Sequence, residues 1–441
     1  MEAGLLVSSE KGYTQTARLL LEYGVDIDTA DTSGETALHR ATINSKKDTV
    51  KCLLEYECDV DASTSDGETA LMLGCEKGHT EIVRLLIQRG ADINTINTNR
   101  DTALMLSCEK GHTEIVQLLI ERGADINWDN NNGDTALMLG CKKGHTEMVR
   151  LLIERGADIN TINNNGDTAL MLGCEKGHTE MVRLLIERGA DINTIINNGD
   201  TALMLGCEKG HTEMVRMLIE RGADINTIIN NGDTALMLGC EKGHTEMVRL
   251  LIERGADINT INNNGDTALM LSCKKGHTEI VRLLIRRGAD INTINTNGDT
   301  ALMLGCEKGH TEMVRLLIER GADINTINTH GDTALMLSCE KGHTEMVRLL
   351  IRRGADINTI NNNGDTALML SCEKGHTEKV RLLIECGADK NTTNNNGDTA
   401  LNIAHRGDHS DIVKVLEDSM EDTNTETDDE KTAVYTAEQN D

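Results

Sequence analysis

Two kinds of apolar cluster and one polar interval recur along the chain in a fixed order. In residues 166–198 the first cluster is Ala169, Leu170, Met171, Leu172 and Cys174. A helix over it is apolar nearly all round and must be buried on several sides. The second cluster is a stripe, Met181, Val182, Leu184, Leu185 and Ile186, with Arg183 and Glu187 four apart on the wet face and placed to pair. Thr168 is placed to cap the first helix and Gly177 to stop it. Thr179 is placed to cap the second, with Glu180 near its positive end, and Gly189 to stop it. Ala190 to Asn198 has no helical period, and Asn197–Gly199 is turn chemistry, because Asn and Gly tolerate positive φ. The pattern predicts helix, tight turn, helix, then an extended finger that ends in a turn.

The unit recurs every 33 residues. Glycine falls at 34, 67, 133, 166, 199, 232, 265, 298, 331, 364 and 397, with Arg100 in the one missing place. Residues 67–396 hold ten nearly identical units, 1–66 hold two divergent ones that cap the N-terminal side, 397–417 read as a capping unit, and 418–441 as an acidic, disordered tail. One such unit cannot bury its own apolar faces, whereas a stack of them forms a continuous core. Met1 starts inside a unit whose opening finger is missing, which fits a truncation as well as a cap.

Thr168-Ala169-Leu170-Met171, Gly177-His178, Leu184-Leu185-Ile186 and Gly189-Ala190-Asp191-Ile192-Asn193 resemble the ankyrin repeat, whose units run G-x-T-P-L-H-x-A-A, G-H, a Leu-rich helix and G-A-D-V-N. The resemblance implies an all-α ankyrin-repeat solenoid of about 13 helix-turn-helix units with β-hairpin-like fingers. The chain departs from the pattern at three places. Alanine stands for the helix-start proline in every T-A-L copy, the family's His survives only as His39 and is Met in ten units, and its Ala pair becomes Gly or Ser followed by Cys.

Composition narrows the function. The core must be aliphatic, since the chain has no Pro, no Phe, one Trp and four Tyr. A net charge of −28 argues against nucleic acid and against anionic membrane surfaces as partners. No run of 18 apolar residues could span a bilayer, and the N-terminus does not read as a signal peptide. Thirteen Cys without a secretory signal point to a reducing, cytoplasmic compartment, with the nucleus left open.

Candidate chemistry is repeated rather than convergent. Cys-x3-His recurs ten times, from Cys75/His79 to Cys372/His376; Cys here is read as a small buried hydrophobe rather than a zinc ligand, because no closed four-ligand spacing appears within a unit. Neighbouring equivalents stand too far apart for disulfides. The Met column, Met72 to Met369, is read as core rather than as an adaptable groove. On the outer helices, Glu253, Arg286, Glu319, Arg352 and Glu385 alternate in sign, which avoids like-charge stacking. No nucleophile elbow, phosphate loop or zinc-protease motif is present, so neither an enzyme nor a cofactor is expected.

The function expected is protein–protein interaction by a monomeric scaffold or adaptor, with a basic or extended protein partner. The alternative is the recognition part of a larger signalling or effector protein whose catalytic domain lies elsewhere. The resemblance implies contacts from the fingers and inner-helix ends, at Glu175, Lys176, Asn197 and Asn198 in one pair of units. Two finger columns stand out: Ile96, Ile162, Ile195, Ile228, Ile261, Ile294, Ile327 and Ile360, and the acids Asp167, Asp200, Asp233, Asp266, Asp299, Asp332 and Asp365. Either they form a groove for a partner, or Ile tucks against the next finger and Asp caps the turn. Trp128 is the lone aromatic finger residue, either an interface anchor or drift. The resemblance also implies Asn193 as a hydroxylation target, since Leu185, Asp191, Ile192 and Asn193 match the family's modified segment.

Overall fold

The computed structural model describes residues 1–420. They form 26 helices in pairs, about 13 units, with single antiparallel bridges such as Ile261↔Thr267 in place of strands. The chain divides into two compact parts, Met1–Asp224 and Ile225 onward. In each, inner helices stack on the inner helices of the next unit, and outer helices touch their counterparts less extensively.

The repeat 166–198 shows why. Its inner helix, Ala169–Lys176, buries Ala169 through Cys174 without a break. The Thr168 hydroxyl accepts from the Met171 amide at 3.3 Å, and Gly177 closes the helix at φ 80°. A Cβ on Gly173 would stand 3.1 Å from Val182 of the outer helix, so only a small residue fits between the two helices. Where Ser stands at this position, as in Ser272, its hydroxyl donates to the carbonyl of Ala268 at 2.8 Å and needs no outside partner.

Three expectations need correction. Thr179 is the first residue of the outer helix Thr179–Glu187; His178 occupies the cap position, and no side chain caps that end. Arg183 pairs with Glu180 at 3.6 Å rather than with Glu187, which meets Arg221 of the next unit at 3.5 Å. The helical cap extends over 410–420, so the boundary after 417 moves outward because Asp418, Ser419 and Met420 continue the helix. The expected tail at 421–441 lies outside the described residues.

The alternating outer column likewise finds its partners one position on. Arg287 reaches Glu253 at 3.3 Å and Arg353 reaches Glu319 at 3.5 Å, so the cross-unit pairs join each Glu to the arginine that ends the following helix. These pairs are exposed, and each contributes little.

Candidate functional site

The fingers are built by asparagine. In the finger of Ile261, the Asn262 carboxamide oxygen accepts from the amides of Asn264 and Asp266 at 3.0 and 2.9 Å, and Gly265 donates back to the Asn262 carbonyl at 2.8 Å. Its amide nitrogen then donates to Asp233 of the preceding finger at 2.7 Å. Asn295 repeats this toward Asp266, Asn328 toward Asp299, Asn361 toward Asp332 and Asn394 toward Asp365. A second asparagine column does the same at the finger base. Asn259 donates to the Gly288 carbonyl at 3.3 Å and accepts from the Asp290 amide at 2.9 Å. Sequence reasoning noted the acids and missed both asparagine columns. Their signal was there, as Asn recurring at the same 33-residue step, in one column four positions before each Asp except Asp200 and Asp233, and in the other seven positions before.

This geometry separates the two finger columns. Ile162, Ile195, Ile228, Ile261, Ile294, Ile327 and Ile360 are 53–57% exposed, so they are not tucked against the next finger; Ile96 is 38% exposed. The acids turn inward. Asp233 and Asp266 are buried, while Asp167, Asp200, Asp299, Asp332 and Asp365 are half-buried. Burial holds the carboxyls of Asp101, Asp200 and Asp299 above the usual range, opposed by a hydrogen bond from an asparagine. Ile196 and Ile229 stand where other units place the ladder asparagine; there Asn198 and Asn231 turn inward to bond Asp200 and Asp233 at 2.6 and 2.8 Å.

One finger differs. Asp129 occupies the isoleucine position, with Trp128 just before it. The Trp128 ring lies over the Arg100 guanidinium at 4.8 Å, its indole nitrogen donates to the Arg100 carbonyl at 3.0 Å, and Asp129 pairs with Arg100 at 3.7 Å. The residue that breaks the glycine column and the lone tryptophan therefore belong to one cluster.

Between fingers and inner-helix ends lie open clefts. One is lined by Asp101, Glu109, Asn130, Asp134, Lys142 and Lys143, with Lys142 on Asp134 at 2.6 Å. Another is lined by Asp266, Lys274, Asn297, Asp299, Glu307 and Lys308. Met105, Leu106 and Leu139 also line the first cleft, so its wall is part charged and part apolar.

The Cys-x3-His residues have structural work. The Cys column is buried and unbridged, and burial pushes the thiols of Cys75 and Cys240 up to about 12. The rings of His112, His145 and His277 cover the inner-turn glycine of the preceding unit, and their Nε2 lies near a backbone carbonyl there, as with His277 and Glu241 at 3.1 Å. No group of three or more metal-ligating side chains occurs among the described residues. The Asn193 amide donates to Gly222 at 3.2 Å, and its oxygen accepts from Asp224 at 3.0 Å. Glu175 and Lys176 pair with each other at 2.9 Å.

Stacked helix pairs joined by short fingers define a helical repeat protein. The chain belongs to the ankyrin-repeat family: the family described as ankyrin repeats (3 copies) matches residues 5–97, 92–163, 159–229, 227–295, 288–361 and 354–427. Ankyrin repeats are protein–protein interaction modules. No curated protein matches the chain. No helix among the described residues is long and apolar enough to cross a membrane.

Proposed function

We propose that this chain is a scaffold or adaptor that binds an extended, basic polypeptide segment along its fingers and inner-helix ends. The observation that carries this reading is the unbroken row Ile228, Ile261, Ile294, Ile327 and Ile360, each more than half exposed in a chain of charge −28. Isolated exposed isoleucines are ordinary; five at one structural position form a periodic apolar surface. Backbone hydrogen bonds tie successive fingers together, such as Thr296 to Asn264 at 2.9 Å and Thr329 to Asn297 at 2.9 Å. Repeats that pack at about 8–10 Å match every third residue of an extended chain rising about 3.3 Å per residue. The half-buried acids act through their negative potential rather than through direct contact.

Affinity capture followed by mass spectrometry identifies the partner. The triple substitution Ile261→Thr, Ile294→Thr and Ile327→Thr is then expected to abolish its binding, and trimming the array from the C-terminal side to weaken it in steps. Unchanged affinity in the triple variant would remove the row as the contact surface. Salt-insensitive binding would remove the acids as a source of attraction.

Hydroxylation at Asn193 rests on the family resemblance. With both ends of its amide bonded to the next unit, the residue offers itself to an asparaginyl hydroxylase only when that junction opens. An intact mass that does not change on incubation with such an enzyme would end that assignment.

A further inference from the structure

Eight of the finger turns carry the dipeptide Asn-Gly, at 132, 165, 198, 231, 264, 297, 363 and 396. In an unstructured chain this dipeptide is the one most prone to spontaneous loss of ammonia, because glycine leaves its own amide nitrogen unshielded by a side chain. All eight asparagines are exposed. Exposure alone would make them equivalent, and the fold does not.

Asn264, Asn297 and Asn363 are clamped from two sides. Within the turn, Gly265, Gly298 and Gly364 each donate their N–H three residues back at 2.8 Å. From outside, the carbonyl of the asparagine accepts from the next finger: Thr296 onto Asn264, Thr329 onto Asn297 and Asn395 onto Asn363, each at 2.9 Å. The next finger also covers the glycine, since a Cβ there would meet its backbone nitrogen at 2.8, 2.9 and 2.9 Å in the three cases. Asn396 has only the first clamp, from Gly397 to the Asn394 carbonyl at 2.9 Å. No finger follows among the described residues, and a Cβ on Gly397 would meet nothing within 4 Å. Gly397 sits at φ 78°, the same left-handed turn as the others, so the difference is the missing neighbour and not the turn itself.

We infer that Asn396–Gly397 is a spontaneous deamidation site of the folded protein, and that stacking protects the equivalent internal pairs. A base from solvent removes the proton of the Gly397 amide, and that nitrogen attacks Cγ of Asn396. The new N–Cγ bond closes a five-membered succinimide, the bond from Cγ to Nδ2 breaks, and the side-chain nitrogen takes up a proton and leaves as ammonia. Water then opens the ring at one of its two carbonyls, giving aspartate or isoaspartate at 396. No oxidant, reductant or enzyme is required. Reaching the ring geometry at 396 takes the opening of one turn; at 264, 297 or 363 the turn and its junction with the next finger must open together. The new carboxylate lies two residues from Asp398, which already holds Arg406 at 2.5 Å, so it adds negative charge to the last finger.

The test is peptide mapping by mass spectrometry during incubation of the full chain in warm, mildly alkaline buffer. Cleavage after Lys390 and Arg406 gives a peptide of unique sequence, and the peptides around 264, 297 and 363 also differ from one another. Residue 396 is expected to convert faster than 264, 297 and 363 by roughly tenfold, the equivalent of about one net hydrogen bond in opening cost. In denaturant the four rates should converge. Equal rates in the folded chain would overturn the inference, and so would a lead for 396 that persists in denaturant, because the protection would then not come from the fold.

Discussion

Arg100 and Lys379 both stand where the repeat calls for another kind of residue, and the structure treats them in opposite ways. Arg100 takes a glycine's place at φ 64°, a conformation costly for a residue with a Cβ. The next finger has changed with it: Trp128 stacks on the guanidinium and Asp129 pairs with it. Lys379 takes the place that ten other units give to Met or Ile, and it is 2% exposed. No hydrogen bond or ion pair to its ammonium is found among the described residues. Around it are the Cys339 thiol, the Gly342 backbone, the imidazole of His376 from its own helix turn, and Glu378; Lys374 and His409 lie near that imidazole. A surface departure has been answered by its neighbour, while a core departure has not. In an array of near copies, that distinguishes a settled exception from an unsettled one.

The largest effect should come from Lys379→Met, which restores the residue found in six other units. Removing an unpaired buried ammonium is expected to stabilise the Ile225 part by about 1–3 kcal/mol, read as a rise in denaturation midpoint. A fall would mean that the lysine has a partner essential to the fold. The same residue sets a pH dependence. Burial lowers its folded pKa from the ordinary 10.5 to about 8. Below about 8 both folded and unfolded states carry the proton, and the full cost of burying charge is present. Between 8 and 10.5 the unfolded state binds more protons, so stability rises with pH, and above that range the cost is gone. The buried thiols act in the opposite sense, because they ionise near 9 when unfolded and are held higher when folded, so stability falls with pH through them. Denaturation midpoints followed across this range should therefore fall less steeply in the native chain than in the Lys379→Met variant, and parallel profiles would mean that Lys379 adds no pH dependence.

The Arg100 cluster should give a smaller effect that depends on its background. In the native chain, Arg100→Gly removes a strained φ worth up to about 1 kcal/mol and also a cation–π contact of similar size, so a near-zero change is expected. The indole bond is to the backbone carbonyl and survives. In a Trp128→Thr background the strain and the exposed Asp129 pair remain; since that pair contributes little, Arg100→Gly should stabilise by about 0.5–1 kcal/mol. A double-mutant cycle measures the difference. Zero coupling would mean that the stacking contributes nothing and that Trp128 and Arg100 are independent accidents.

These cases show what could be read along the chain. Helix faces, the glycine that ends each inner helix and the Thr168-type caps are local, decided within about four residues, and all are present in the structure. The asparagine ladders, the His rings over glycine and the Arg287–Glu253 pairs join residues 29 to 36 apart. No window shorter than 30 residues contains both partners. The array does carry such contacts as columns, since anything repeated at the same step is a candidate neighbour of itself. Reading columns for residue pairs rather than single residues would have found the Asn–Asp ladder. Thr179 misled for a local reason: a threonine just after a glycine looks like a cap, but the Val182 amide finds the His178 backbone carbonyl at 3.0 Å instead.

The smallest expected effect bears most directly on function. Ile261, Ile294 and Ile327 are more than half exposed, whereas Leu284 and Leu317, on the outer helices of the same units, are fully buried. Ile→Thr at any of the three finger positions keeps the β-branch and removes only apolar surface that already faces water. Its cost should stay within about 0.5 kcal/mol, while Leu284→Ala should cost about 2–5 kcal/mol by opening a cavity. Ile96 is the internal control, since at 38% exposure it should fall between the two. Denaturation of the five single variants, Ile96→Thr included, under one condition orders them. If Ile294→Thr cost more than about 1 kcal/mol, the isoleucine row would be holding fingers together. Its regularity would then follow from copying a structural residue and would no longer mark a surface kept for a partner. If the cost is negligible, five exposed isoleucines remain that stability does not account for, and loss of partner binding in the triple finger variant can be read as loss of contact rather than loss of fold.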